Sequence, residues 1–280
     1  MIVVGVDGSA PSHAAVAWAA DDAYRTGTPL RIVHAVDSSP YQIGDYPSAV
    51  PLDALLAGGQ KILREAEALA RERRPTVEVT TEDVEGSPAL VLREQAEGAD
   101  EIVVGSRGLG GFTGALLGSV SMGVAGHARC PVVVVRGGDR EVYGEVVAGV
   151  DDSPECEPAL EYAFRQAKLR GGSLRAVHSW RLPVHAFAPE IAYDMDEVRT
   201  AQQQVVRDRV ARFSEEYPQV KVVEDVQCAH PVNALTDASE RADLLVVGSH
   251  GRGAMGSALL GSVSRAVLHR AHCPVAVVRR

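Results

Sequence analysis

A chain of 280 residues, 46% of them hydrophobic, has the length and the apolar side chains for two ordinary domains, each with its own core. Its formal net charge of -9, with Lys and Arg spread along the chain, excludes the basic stripe that grips nucleic acid. No apolar run approaches the ~20 residues of a membrane-spanning helix, and the opening MIVVGVDGS lacks the basic and apolar regions of a signal peptide, so a soluble cytoplasmic protein is expected.

The first element is a β-branched run at 2–6, which reads as a strand and ends in Gly5-Val6-Asp7, with Ser9 just beyond. A helical stretch at 12–25 leads to a second strand at 30–36 that carries His34 and ends at Val36. The segment 38–51, rich in Pro, Tyr and Ala, is long enough to be a lid or a binding segment, and 181–194 stands in the same place later in the chain. Then come a helix at 53–73, a strand at 76–84, a helix at 87–97, a strand at 101–104, a helix at 119–128 and a strand at 132–135. Several of these helices open on a Ser or Asp suited to an N-cap. Five strands alternating with four helices predict right-handed crossovers and hence an α/β fold, a Rossmann-like, doubly wound, five-stranded parallel sheet. Such sheets bind ligands outside the carboxyl ends of their strands, where the chain order reverses.

The pattern then repeats. Gly5-Val6-Asp7 with Ser9 recurs as Gly149-Val150-Asp151 with Ser153, Val103 to Ser106 recurs as Val246 to Ser249, and ALLGSVS at 115–121 returns unchanged at 258–264. Cys130-Pro131-Val132 returns as Cys273-Pro274-Val275. Landmarks in the same order at a spacing of about half the chain mean a duplicated domain and not a solenoid. The strands of the second copy fall at 145–150, 173–178, 221–226, 244–247 and 275–278, and the expected domains are 1–137 and 144–280. The final strands at 132–135 and 275–278 are apolar and expected at sheet edges, which invites the two domains to pair; association of whole chains into a homodimer is left open.

Past the fourth strand lies Gly105-Ser106-Arg107-Gly108, then further glycines at 110, 111 and 114, then Gly118-Ser119-Val120-Ser121 at the head of the last helix. Glycines admit positive φ and let a ligand approach the backbone. A helix head offers bare N–H groups and the positive end of its dipole to an anion, and the Ser119 and Ser121 hydroxyls are candidate donors to phosphate. The second copy supplies Gly248, Gly251, Gly261, Ser262, Val263 and Ser264.

The spacing G-x2-G-x9-G-S, met twice after a fourth strand, resembles the ATP-binding signature of the universal stress protein family. The resemblance covers nearly the whole chain and implies ATP, alone or with Mg²⁺, as the ligand of Gly105, Gly108, Gly118, Ser119, Val120 and Ser121 and of their counterparts. It implies that Asp7 and Asp151 contact the nucleoside and that Val36 lies against adenine through its backbone. The counterpart of Val36 is Trp180, a much larger side chain that would stack in, reshape or partly fill the second base pocket. Tandem members of the family are thought to pair their halves and to act in stress adaptation or dormancy.

Other readings of the same residues stand beside these. Loop glycines also serve as plain turn formers, Ser119 as an N-cap, and Asp7 and Asp151 as caps of the helix that follows. Arg107, His250 and Arg252 could neutralise phosphate, though loop charges are usually solvated. His34 and His178 read as structural histidines, Cys130 and Cys273 as packing residues, and Cys130, Cys156, Cys228 and Cys273 form no CxxC or Cys/His cluster. Gly251-Arg252-Gly253-Ala254-Met255-Gly256 spells a dinucleotide fingerprint, but after the fourth strand and not the first, and Thr113 breaks it in the first copy; the Walker A spelling is absent from the sequence. Fast phosphoryl transfer wants a metal-holding carboxylate, a base and fixed cations, and no such set recurs; Asp7 could hold a metal but stands alone. The expected activity is therefore binding, with a slow ATPase, a nucleotidyl or phosphoryl transferase, or a scaffold with vestigial pockets as alternatives.

Overall fold

The computed structural model describes residues 1–37, 52–109, 117–138, 141–154, 156–181, 194–251 and 260–279. They form two compact units, Met1–Arg140 and Glu141–Arg280. In the first unit the chain runs β1 (Ile2–Val6), α1 (Ala10–Thr26), β2 (Leu30–Val36), α2 (Leu52–Arg73), β3 (Val79–Glu85), α3 (Pro88–Gln95), β4 (Glu101–Gly105), α4 (Ser119–His127) and β5 (Val132–Val135). The strands lie in the order β3-β2-β1-β4-β5 and every pairing within the unit is parallel.

The second unit repeats this as β6 (Glu145–Val150), α5 (Cys156–Arg170), β7 (Ser173–Trp180), α6 (Met195–Glu216), β8 (Val222–Cys228), α7 (Pro231–Ala238), β9 (Leu244–Gly248), α8 (Ser262–Arg270) and β10 (Val275–Val278). Its strand order is β8-β7-β6-β9-β10, again parallel throughout. Each unit is thus a Rossmann-like, doubly wound domain whose chain order reverses between its first and fourth strands.

The central strands are apolar because both their faces are covered. Val3 and Val4 of β1 and Ile102 and Val103 of β4 have no exposed surface, and burial of each such side chain contributes about 1.5–3 kcal/mol. The edge strand β3 is polar instead, with Thr80, Thr81 and Glu82 exposed, which discourages pairing with a foreign strand. Helix α1 packs on α2 and α3 packs on α4. Gly27 closes α1 in the left-handed conformation at φ 67°, where a side chain would be strained.

The two units lock their first helix pair differently. In the first, Asp21 of α1 accepts from Arg73 Nε at 3.1 Å and Nη2 at 2.7 Å and from Arg74 Nε at 2.7 Å, while the Arg74 guanidinium lies 4.7 Å from the centre of the Tyr24 ring. In the second, Phe164 of α5 stacks on Phe213 of α6 at 5.5 Å between ring centres, with Tyr217 5.7 Å from Phe164.

Some element ends differ from those read in the sequence. Helix α1 starts two residues before 12, because Ser9 is its N-cap and Pro11 fits its first turn. Strand β3 starts after 76, because the amide of Val77 closes a turn onto the Arg74 carbonyl at 3.1 Å. Strands β7 and β8 run past 178 and 226, since Ser179 pairs with Gln227 and Trp180 with Cys228.

Candidate functional site

In the first unit Asp7 follows β1, Val36 ends β2 and Gly105 ends β4, so the residues singled out in the sequence gather at the carboxyl edge of the sheet. The backbone leaves β1 through a short turn that Asp7 organises. Its Oδ1 accepts from the Ser9 amide at 3.0 Å and the Ser9 hydroxyl at 2.6 Å, an Asx-type turn, and its Oδ2 accepts from the Leu109 amide at 2.9 Å. The cap of α1 is Ser9, whose Oγ accepts from the Ser12 amide at 3.3 Å; Asp7 is one step removed from the helix and does not cap it.

The glycine-rich loop leaves β4 and is pinched at its base. The Gly118 amide donates to the Ser106 carbonyl at 2.8 Å, and the buried Ser121 hydroxyl donates to the Gly105 carbonyl at 2.7 Å. With its single proton on Gly105, Ser121 ties the head of α4 to the end of β4. Gly118 is the N-cap of α4 and brings no capping side chain, so the amides of Ser119, Val120 and Ser121 at the first turn receive no cap from it. Ser119 is exposed at this head and Val120 half-buried.

None of Gly105, Gly108, Gly118, Gly248, Gly251 and Gly261 has a positive φ, so positive φ is not the reason for a glycine at these six positions. Neighbours explain some of them. A Cβ on Gly105 would lie 2.7 Å from the Pro11 backbone of α1, and one on Gly108 would collide with the Asp7 carboxylate. Gly118 is different, because among the described residues a Cβ there would meet nothing closer than 3.5 Å.

The second unit reproduces this geometry. Asp151 accepts from the Ser153 amide at 3.0 Å and the Ser153 hydroxyl at 2.5 Å; Gly261 donates to the Ser249 carbonyl at 2.8 Å; and Ser264 donates to the Gly248 carbonyl at 2.7 Å. Gly261 caps α8 without a side chain, Ser262 is exposed and Val263 half-buried. The differences lie around this frame. Trp180 takes the place of Val36, as the registers Val6 with His34 and Val150 with His178 establish, and it is half-buried where Val36 is buried. His250 takes the place of the exposed Arg107, with its Nδ1 3.1 Å from the Ser249 hydroxyl. The Val36 carbonyl accepts from the Gly86 amide at 3.0 Å.

The two strand histidines also differ. His34 Nδ1 lies 2.9 Å from Asp83 Oδ1, whereas His178 is buried between the Val150 carbonyl at 2.8 Å and Gln202 Oε1 at 2.9 Å, so both have structural partners. Burial pushes the Cys130 thiol up to about 11, and Cys273 has no exposed surface, in keeping with packing roles. Among the described residues no group of three or more His, Cys, Asp and Glu could hold a metal ion. Glycines 110, 111 and 114, Thr113, Arg252, Gly253, Gly256 and all of 38–51 and 182–193 lie outside the described residues; Asp194, just past the last of these, is the N-cap of α6. Sequence reasoning passed over Ser9, Ser153, Ser106 and Ser249. The Asp-x-Ser spacing was the available signal for the first two, while the carbonyl roles of the other two leave none.

The model of the universal stress protein family matches residues 1–136 and again 143–279. A universal stress protein of Mycobacterium tuberculosis is 37% identical over 291 residues, covering 100% of this chain and 97% of the relative. One of Mycolicibacterium smegmatis is 36% identical over 286 residues, covering 99% and 96%. The crystal structure of a universal stress protein from Archaeoglobus fulgidus superposes with a TM-score of 0.74 at 23% identity, covering 100% of this chain and 98% of that one, which supports the fold. The chain belongs to the universal stress protein family, as two tandem copies of its domain.

Proposed function

We propose that each half of this universal stress protein is a binding module for an adenine nucleotide, ATP in particular, and that occupancy sets the conformation or partner choice of the protein in stress adaptation. One observation carries the reading. In both halves the helix after the fourth strand is capped by a glycine that brings no side chain to its first-turn amides, which keeps them open to an anion; at Gly118 a Cβ would meet no atom of the described residues closer than 3.5 Å, whereas at Gly261 it would lie 3.3 Å from the Ser249 carbonyl. The phosphates would lie against the amides of Ser119, Val120 and Ser121 and of Ser262, Val263 and Ser264, with the exposed Ser119 and Ser262 hydroxyls as further donors.

The nucleoside would then reach toward Asp7 and Val36, or Asp151 and Trp180, along the carboxyl edge. A magnesium ion accompanying the triphosphate would supply charge neutralisation, and the protein's own contribution is to position the phosphates and shield the base. Among the described residues no side chain stands as a general base beside the helix head, and binding without rapid turnover is the behaviour we propose.

The test is a thermal melt and a calorimetric titration with ATP and Mg²⁺, coupled to an assay for released ADP or AMP. Saturation at 100 times Kd adds about 2.7 kcal/mol to the stability of a domain, a shift of several degrees. An unmoved melting temperature overturns the reading in favour of a scaffold with vestigial pockets. Product release at ~1 s⁻¹ or faster overturns it in favour of an enzyme.

A further inference from the structure

We infer that Asp7 is a positioning residue which clasps the glycine-rich loop across the crevice, and that Gly108 and Gly251 are glycines to make room for the Asp7 and Asp151 carboxylates and not for a phosphate. The inference rests on the binding reading above for its consequence, but its geometry stands without it. The Asp7 carboxylate bridges two segments about a hundred residues apart in the chain, taking the Ser9 amide and hydroxyl on Oδ1 and the Leu109 amide on Oδ2. The Ser9 hydroxyl also stands 3.4 Å from the Arg107 carbonyl, so the turn after β1 touches the loop at two points.

Two glycines of the signature therefore have separate causes. Among the described residues Gly118 has room for a Cβ, whereas at Gly108 it is the Asp7 carboxylate that occupies the place of one, and the φ of Gly108 gives no conformational reason for a glycine. The second domain repeats the relation, since a Cβ on Gly251 would lie 2.5 Å from Asp151 Oδ2 and 3.7 Å from its Cγ. That the same exclusion recurs in two copies that differ at many neighbouring positions argues against accident.

Charge-assisted bonds to backbone amides are among the stronger and more directional hydrogen bonds. A carboxylate bonded to donors on both sides of the crevice fixes where residues 107–109 run, and through the Ser106 carbonyl it fixes where the head of α4 points. On this account Asp7 acts through the loop, and its removal loosens the site without removing a group that touches phosphate.

A double-mutant cycle in the full chain tests this, using Asp7→Ala, Gly108→Ala and the pair. Chemical unfolding, hydrogen exchange at the Leu109 amide and ATP titration are the readouts. Alone, Gly108→Ala should destabilise the first domain; in the Asp7→Ala background its cost should shrink, with the unfolding equilibrium differing at least tenfold between the two backgrounds. The Leu109 amide should lose protection in Asp7→Ala. Equal cost of Gly108→Ala in both backgrounds overturns the inference, as does loss of ATP binding by Gly108→Ala with unchanged stability. If Gly108→Ala does not fold, folding of the pair supports the clasp and failure of both refutes it. Failure of the wild type to bind ATP would sink the binding reading alone, because the stability coupling would still be measured.

Discussion

Gly118 is the residue at which stability and binding should part company. An Asp at an N-cap accepts from the first-turn amides and complements the helix dipole, so Gly118→Asp, whose Cβ meets no atom of the described residues closer than 3.5 Å, should raise the stability of the first domain by about 0.5 kcal/mol. The same carboxylate would occupy the amides proposed for phosphate, and ATP affinity in that domain should fall at least tenfold, or about 1.4 kcal/mol. A urea titration and a calorimetric titration on one preparation measure the two signs together. A variant that is less stable but binds normally would place the phosphate elsewhere. The spacing of glycines and serines made these positions legible in the sequence, because a helix head after a fourth strand is a chemical pattern. It could not say where the Ser121 proton goes or what Asp7 holds, since the partners are Gly105, 16 residues away, and Leu109, 102 residues away.

At the scale of elements, the helix pair α1 and α2 adds a shared Asp21–Arg73–Arg74 cluster to its apolar packing, where α5 and α6 stack aromatic rings and join Arg212 to Glu157 at 2.9 Å. Burial pushes the Asp21 carboxyl up, but the hydrogen bonds and charges of Arg73 and Arg74 outweigh that and hold it below its ordinary value. A carboxylate depressed in the folded state contributes stability that is complete above its unfolded value of about 4 and is lost as pH falls through the lower, folded one. Acid should therefore weaken the first domain through this lock, and Asp21→Asn should cost about 1 kcal/mol near neutrality, the partly exposed guanidinium groups being screened, and remove that share of the pH dependence. Phe213→Ala, by contrast, should cost the second domain about 3–5 kcal/mol at any pH. Unfolding followed through Trp18 in a Trp180→Phe background and through Trp180 in a Trp18→Phe background separates the domains; a flat acid response of Asp21→Asn and wild type alike would refute the charge lock. Order and type of the elements were readable because buried parallel strands are apolar and the helices between them are not. Their ends were not, because the turn at Val77 and the ladder that carries β7 to Trp180 are set by backbone bonds that apolar periodicity does not encode.

At the scale of the whole molecule, duplication has kept the frame and varied what surrounds it. Both domains retain the Asp-x-Ser turn, the pinched loop base and the uncapped helix head, while Arg107 is replaced by His250 and Val36 by Trp180. A frame kept twice argues for two functional pockets, and the altered periphery argues for two that differ. Trp180, half-buried at the end of β7, makes the difference observable, since an adenine lying on an indole changes its fluorescence by stacking. In a Trp18→Phe chain, ATP should alter Trp180 emission, and the change should persist with Gly118→Asp and vanish with Gly261→Asp. Calorimetry on the same variants should give two nucleotides per chain in the parent and one in either single variant. An emission change that follows Gly118 would assign the indole to the wrong pocket. No change at all, with two nucleotides still bound, would mean that Trp180 stands clear of the base and that the second pocket is built as the first.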